Sequence, residues 1–220
     1  FIPASRAISL SGDSTGQNFT GVYQCTLTVN STRDNPVCSP ADNNGKSSGT
    51  GIYVYDYNTS VTVSVTTPTD ESAGTRYVST GWTGTGSVPG TGSTNTVSFT
   101  ITQNSTLTWN WQVEYKLTKI AEPEQGGIIT STDGKDWYTS GSNITVTAYP
   151  NQNWIFTNWT GNLTGSSNPG NLIMNSPKTV TAHFIQQGFE MQADLQEQSV
   201  ILEEGTQVET EVVIHVNSIG

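Results

Sequence analysis

Two cysteines, two histidines and a few acidic clusters are the side chains of this sequence that could do chemistry. Cys25 and Cys38 are its only cysteines. In a polar chain of extracellular composition they most simply form one disulfide, closing a loop of about a dozen residues and adding roughly 2–3 kcal/mol of stability. No further Cys or His stands at ligand spacing, so neither a metal site nor a cofactor is expected. His183 and His215 lie in alternating segments without a nucleophile or orienting carboxylate at motif spacing, and are read as strand residues. Asp42-Asn43-Asn44-Gly45 and Asp133-Gly134-Lys135-Asp136 place oxygens around a glycine, as calcium loops do. Both lack the alternating acids and closing Glu of such a loop, and Asn-Gly and Asp-Gly are ordinary turn dipeptides. Glu203 with Glu204, and Glu209 with Glu211, would need a cleft to act as a glycosidase pair. They flank a turn and a strand, so they are read as solvated. The chain is expected not to be an enzyme.

Binding and modification leave more to consider. Asn-X-Ser/Thr triplets occur at Asn18, Asn30, Asn58, Asn104, Asn143, Asn158 and Asn162. A chain rich in these residue types generates some by chance; the alternative is an outer-surface glycoprotein. Of the six tryptophans, Trp82 and Trp159 are expected as core plugs of small sheets, since Trp buries much apolar area. Trp137 and Trp154, beside polar turns, are the candidates for contact with a glycan or partner.

The elements that must position these residues are strands. Only 33% of the chain is apolar and 12% charged, while Gly, Ser, Thr and Asn dominate. Those residues make poor helices, whereas Thr, Val, Ile, Tyr and Trp suit a pleated, half-buried surface. Val61-Thr-Val-Ser-Val65 and Ile144-Thr-Val-Thr-Ala148 alternate strictly, and no 3.6-residue period competes. An all-β fold of small sandwich-like units follows. A net charge of −10 and a pI near 4.4 exclude a phosphate-binding stripe, and so a nucleic-acid partner. No apolar run of about 18 residues exists to insert into a membrane. A first residue Phe1 instead of Met fits a processed or excised chain.

The sequence also repeats. Tyr55–Val65 matches Tyr138–Ala148, Gly81-Trp82-Thr83-Gly84 matches Asn158-Trp159-Thr160-Gly161, and Ser105–Trp111 matches Lys178–Phe184, in the same order. Residues Asp70 to Arg76 are extra in the first copy and are read as a loop insertion. The second copy resembles the divergent InlB B-repeat family of surface proteins. The resemblance rests on Gly126-Gly127, Ile144–Ala148, Trp154-Ile-Phe-Thr-Asn-Trp-Thr-Gly161, Asn168-Pro169 and Lys178–Phe184. The first copy resembles a longer variant that ends in Trp109-Asn-Trp111. The resemblance implies β-grasp-like units strung along extracellular proteins, without catalysis.

The expected organisation is an N-terminal strand and linker over 1–22, a first repeat unit over 23–114, a second over 115–186, and a partial Ig-like segment over 187–220. Ala7–Ser11 reads as a strand without a local partner, and 187–220 supplies too few strands for a closed sandwich. The expected role is structural or adhesive: a secreted or cell-surface stalk, lattice or filament subunit. Its partners would be further copies, joined head to tail by strand exchange, or neighbouring domains. The rival reading is a carbohydrate-binding accessory segment of a secreted enzyme, with glycans as partners.

Overall fold

The structure, a computed structural model, describes residues 22–188. The strand expected at Ala7–Ser11, the triplet at Asn18, and His215 with the glutamates after Gly188 lie outside the described residues. Apart from one short 3-10 turn at Glu124–Gly126, the described elements are all strands. They divide into two units, one ending at Glu114 and the other beginning at Tyr115.

Unit 1 contains β1 (Gln24–Asn30), β2 (Val37–Ser39), β3 (Gly51–Asp56), β4 (Thr59–Ser64), β5 (Thr69–Ser72), β6 (Thr75–Thr85), β7 (Thr91–Gly92), β8 (Thr96–Ile101) and the first part of β9 (Ser105–Glu122). In one sheet β1 lies antiparallel to β3 and parallel to β9, and β6 pairs with β9, β5 and β7. The other sheet is β2-β4-β8. Alternation decides which side chains meet between them. Leu27, Val29, Tyr53 and Tyr55 come from the first sheet, and Val61, Val63, Val97 and Ile101 from the second, to form one buried cluster. The intervening Thr62 and Ser98 hydroxyls pair on the outer face at 2.8 Å. The β3–β4 turn needs Asn58 at φ 71°, a left-handed conformation that Asn tolerates better than most residues.

Asp70–Arg76 is not the loop its composition suggested. It folds as the β5–β6 hairpin, with Thr69 opposite Tyr77 and Ser72 opposite Thr75. Ala73 and Gly74 turn it at φ 48° and 76°, the doubly left-handed geometry that matches strand twist in two-residue hairpins.

Unit 2 contains the rest of β9, then β10 (Gly127–Ser131), β11 (Trp137–Thr139), β12 (Asn143–Pro150), β13 (Trp154–Gly161), β14 (Gly170–Ile173) and β15 (Lys178–Gln186). Here β15 is parallel to β9 and antiparallel to β13, β11 pairs with β9, and the second sheet is β10-β12-β14. Leu117, Val146, Trp159, Met174 and Val180 form the centre of its core. Gly126 and Gly127 close one end of that core. A Cβ on Gly126 would lie 2.5 Å from Phe184, and one on Gly127 would lie 2.5 Å from the Tyr149 carbonyl and 2.6 Å from the Phe184 ring. Only glycine permits that approach.

Candidate functional site

The open ground of unit 2 lies between the end of β9 and the start of β10. A cleft of about 640 Å³ is lined by Lys119, Ile120 and Ala121 from β9, Glu124 from the turn, and Gly127, Ile128 and Ile129 from β10. Among the described residues β10 has β12 as its sole strand neighbour, so its other edge faces the cleft. β11 is three residues long and meets β9 near Leu117, whose N–H donates to the Asp136 carbonyl at 2.7 Å. Ala121 and Ile129 are partly buried and belong to the margin of the core. Ile120 and Ile128 are 44% and 58% exposed, so the cleft presents apolar surface to solvent. Lys119 is already engaged: its ammonium meets the Asp136 carboxylate at 2.8 Å and donates to the Lys135 carbonyl at 3.1 Å.

A polar row crosses the outer face of the β13-β15-β9 sheet. His183 Nε2 is 2.8 Å from Thr160 Oγ1, and its Nδ1 is 3.6 Å from Glu122. Local spacing gave no sign of this, because 122, 160 and 183 are joined only by strand register, with His183 opposite Glu122 in β9 and opposite Asn158 in β13. The order hydroxyl, imidazole, carboxylate is that of a nucleophilic triad. The row lies on an exposed sheet face, however, with Glu122 66% exposed, and what it does there is tie three strands together.

The cysteines depart from expectation. Cys25 on β1 and Cys38 on β2 are both buried free thiols, so the structure does not contain the expected disulfide. Cys25 stands opposite Tyr55 in one sheet and Cys38 opposite Val63 in the other. Burial raises the pKa of both thiols, which keeps them protonated and unreactive.

The acidic turns are filled by their own donors. Asp42, 6% exposed, accepts from the N–H of Lys46 at 2.7 Å, Asn44 at 2.9 Å and Val54 at 3.0 Å. Burial pulls its carboxyl upward, but these bonds outweigh it and hold the pKa below the usual value. The Asp42 loop thereby covers the edge of β3, since Asn43 N–H also donates to the Val54 carbonyl at 2.8 Å. Asp133 is held low by Lys135 and by the Tyr138 hydroxyl, which donates to it at 2.9 Å. Burial and this neighbour push Tyr138 up to about 12.

The tryptophans separate by role. Trp82 and Trp159 are both buried; Trp159 Nε1 donates to the Ser167 carbonyl at 3.0 Å, whereas Trp82 Nε1 has no protein acceptor. Trp137 and Trp154 are half-buried on β11 and β13, the two outer strands of the β13-β15-β9-β11 sheet. They stand three strands apart and at opposite ends of the sheet, since Trp154 lies opposite Gln186 at the end of β15 while Leu117, whose N–H meets Asp136 beside Trp137, lies opposite Lys178 at its start. Trp154 packs on the core, while Trp137 alternates with the buried Tyr138, so the pair do not form one platform. Asn30, Asn58, Asn104, Asn143 and Asn162 are exposed, and Asn158 is half-buried.

Residues 115–188 match the model of the divergent InlB B-repeat domain, a repeat of surface proteins. That span covers about a third of the chain and coincides with the described part of unit 2. No curated protein and no solved structure matches the chain. The matched repeat is one of surface proteins and is compatible with an extracellular or cell-surface location. Among the described residues no helix is long and apolar enough to cross a membrane.

Proposed function

We propose that this chain is a non-enzymatic structural or adhesive segment of an extracellular surface protein. It is built from two tandem copies of the repeat, and its copies associate head to tail by strand addition. One observation carries the reading: the two units share connectivity and register. The parallel pair that closes each unit sets Leu27 against Ser105 in unit 1 and Leu117 against Lys178 in unit 2. Ser105 and Lys178 are the residues that the sequence repeat aligns. The inner sheets agree as well, with Val61 opposite Phe99 and Ile144 opposite Leu172. Each unit also anchors a core tyrosine to the preceding loop, through Tyr55 to the Pro40 carbonyl at 3.1 Å and through Tyr138 to Asp133 at 2.9 Å.

Repetition of one packed unit supplies reach without requiring a reactive centre. The acidic chain and its exposed Asn-X-Ser/Thr triplets suit a solvated, glycan-bearing outer surface. The carbohydrate-binding rival needs a row of coplanar exposed rings, and Trp137 and Trp154 lend it no support. Negative-stain microscopy of native material tests the reading. Filaments, stalks or a lattice are expected; dispersed single chains that turn over a substrate would overturn it.

A further inference from the structure

We propose that the β9–β10 cleft of unit 2 is a strand-acceptor groove, and that its occupant is the segment Arg6–Ser11 of a second copy of this chain. The inference rests on the self-association reading above and names both halves of the joint.

The groove has what strand addition requires. One wall is the open edge of β10, whose unpaired N–H and carbonyl groups can extend the β10-β12-β14 sheet by one strand. The five residues of β10 offer about 17 Å of edge, which five or six extended residues match. Its floor is apolar, since Ala121 and Ile129 are core residues left partly uncovered. An added strand with small or branched apolar residues at alternate positions would complete the core there. The edge of β3 in unit 1, by contrast, is already covered by the Asp42 loop.

Sequence pattern and charge select the occupant. Ile8 and Leu10 alternate with Ala7, Ser9 and Ser11, giving one apolar and one small or polar face. Residues 1–12 carry Arg6 and no acid, within a chain of net charge −10. The turn end of the groove carries Glu124, while Lys119 is paired with Asp136. A cationic strand is therefore favoured at that end. The strand-like segments after Gly188 are all acidic, with Glu190 in Phe189–Ala193, Glu203 and Glu204 in Ser199–Gly205, and Glu209 and Glu211 in Glu209–Val216, and each would meet like charge.

The test uses the full chain. Ile8→benzoylphenylalanine is prepared in a mixture of 14N- and 15N-labelled chains, irradiated, and mapped by mass spectrometry. Leu10→Asp and Arg6→Glu chains are followed in parallel by light scattering. Cross-links from position 8 are expected within 119–129 of the chain carrying the other isotope, and Leu10→Asp should weaken assembly at least about tenfold. Arg6→Glu should weaken it by a smaller factor that shrinks in high salt. Cross-links confined to one isotope place the segment in its own chain and overturn the proposal, as do cross-links outside the groove. Assembly of Leu10→Asp at the wild-type level overturns the groove but leaves head-to-tail association standing. A wild-type chain that stays monomeric overturns both.

Discussion

Trp82 and Trp159 occupy matching places in the two units, yet only Trp159 has a hydrogen bond for its indole N–H. Replacing each by Phe is a controlled comparison, because the lost volume is the same. Trp159→Phe forfeits the 3.0 Å bond to the Ser167 carbonyl, a net loss of about 0.5–1.5 kcal/mol, with a further cost where the carbonyl stays dry. Trp82→Phe removes a buried donor that has no protein acceptor, which relieves desolvation and offsets part of the packing loss. Unit 2 should therefore lose about 1–2 kcal/mol more from its substitution than unit 1 loses from its own. In a unit of about 100 residues, that difference displaces a melting midpoint by roughly 4–16 °C. Hydrogen exchange of the β4 and β12 amides in the full chain reads each unit separately. Equal losses in the two units would refute the reasoning. So would a larger loss from Trp82→Phe.

Asp42→Ala should destabilise unit 1 by about 2–4 kcal/mol, because it strands three backbone N–H groups around a buried position; denaturant melts check it. The folded pKa of Asp42 is lowered, so its contribution is complete above the unfolded carboxylate pKa of about 3.9. It fades as pH falls through the folded value, and an acid titration should show Asp42→Asn losing that part of the pH dependence. Gly127→Ala should cost about 1–3 kcal/mol through collision with Phe184 and the Tyr149 carbonyl, measured as exchange protection in β12. Alkylation followed by mass spectrometry should find Cys25 and Cys38 unreactive in the native chain and both modified after denaturation without reductant; a bridged peptide would refute the thiol assignment.

Much of this architecture was legible because alternation reports faces directly. Val61, Val63 and Val65 are buried where the pattern put them, and Trp82 and Trp159 lie in cores. The pattern does not report which sheet a strand joins. Cys25 and Cys38 illustrate this: close in sequence and facing the same core, they come from different sheets and are free thiols where a disulfide was expected. Asp70–Arg76 has residues that are poor in strands, yet two left-handed residues at its tip fold it back onto β6. The Thr160–His183–Glu122 row escaped notice because parallel register, not spacing, brings residue 122 beside residue 183. The cleft was invisible for a related reason. It exists because β10 has an open edge and β11 is short, which are properties of lengths and partners, not of residue type.

The parallel pairing of β1 with β9 has a mechanical consequence. The first and last described strands of unit 1 are neighbours that run the same way, and in unit 2 β9 and β15 repeat the arrangement. Tension along the chain drags the two members of such a pair in opposite directions along their length. The slanted hydrogen bonds between them are then loaded together in shear, where a hairpin pulled from its open end would give way one bond at a time. Resistance to pulling is set by the rate of crossing that shared barrier and not by equilibrium stability. A unit of modest size and few charges can in this way carry a load along the chain.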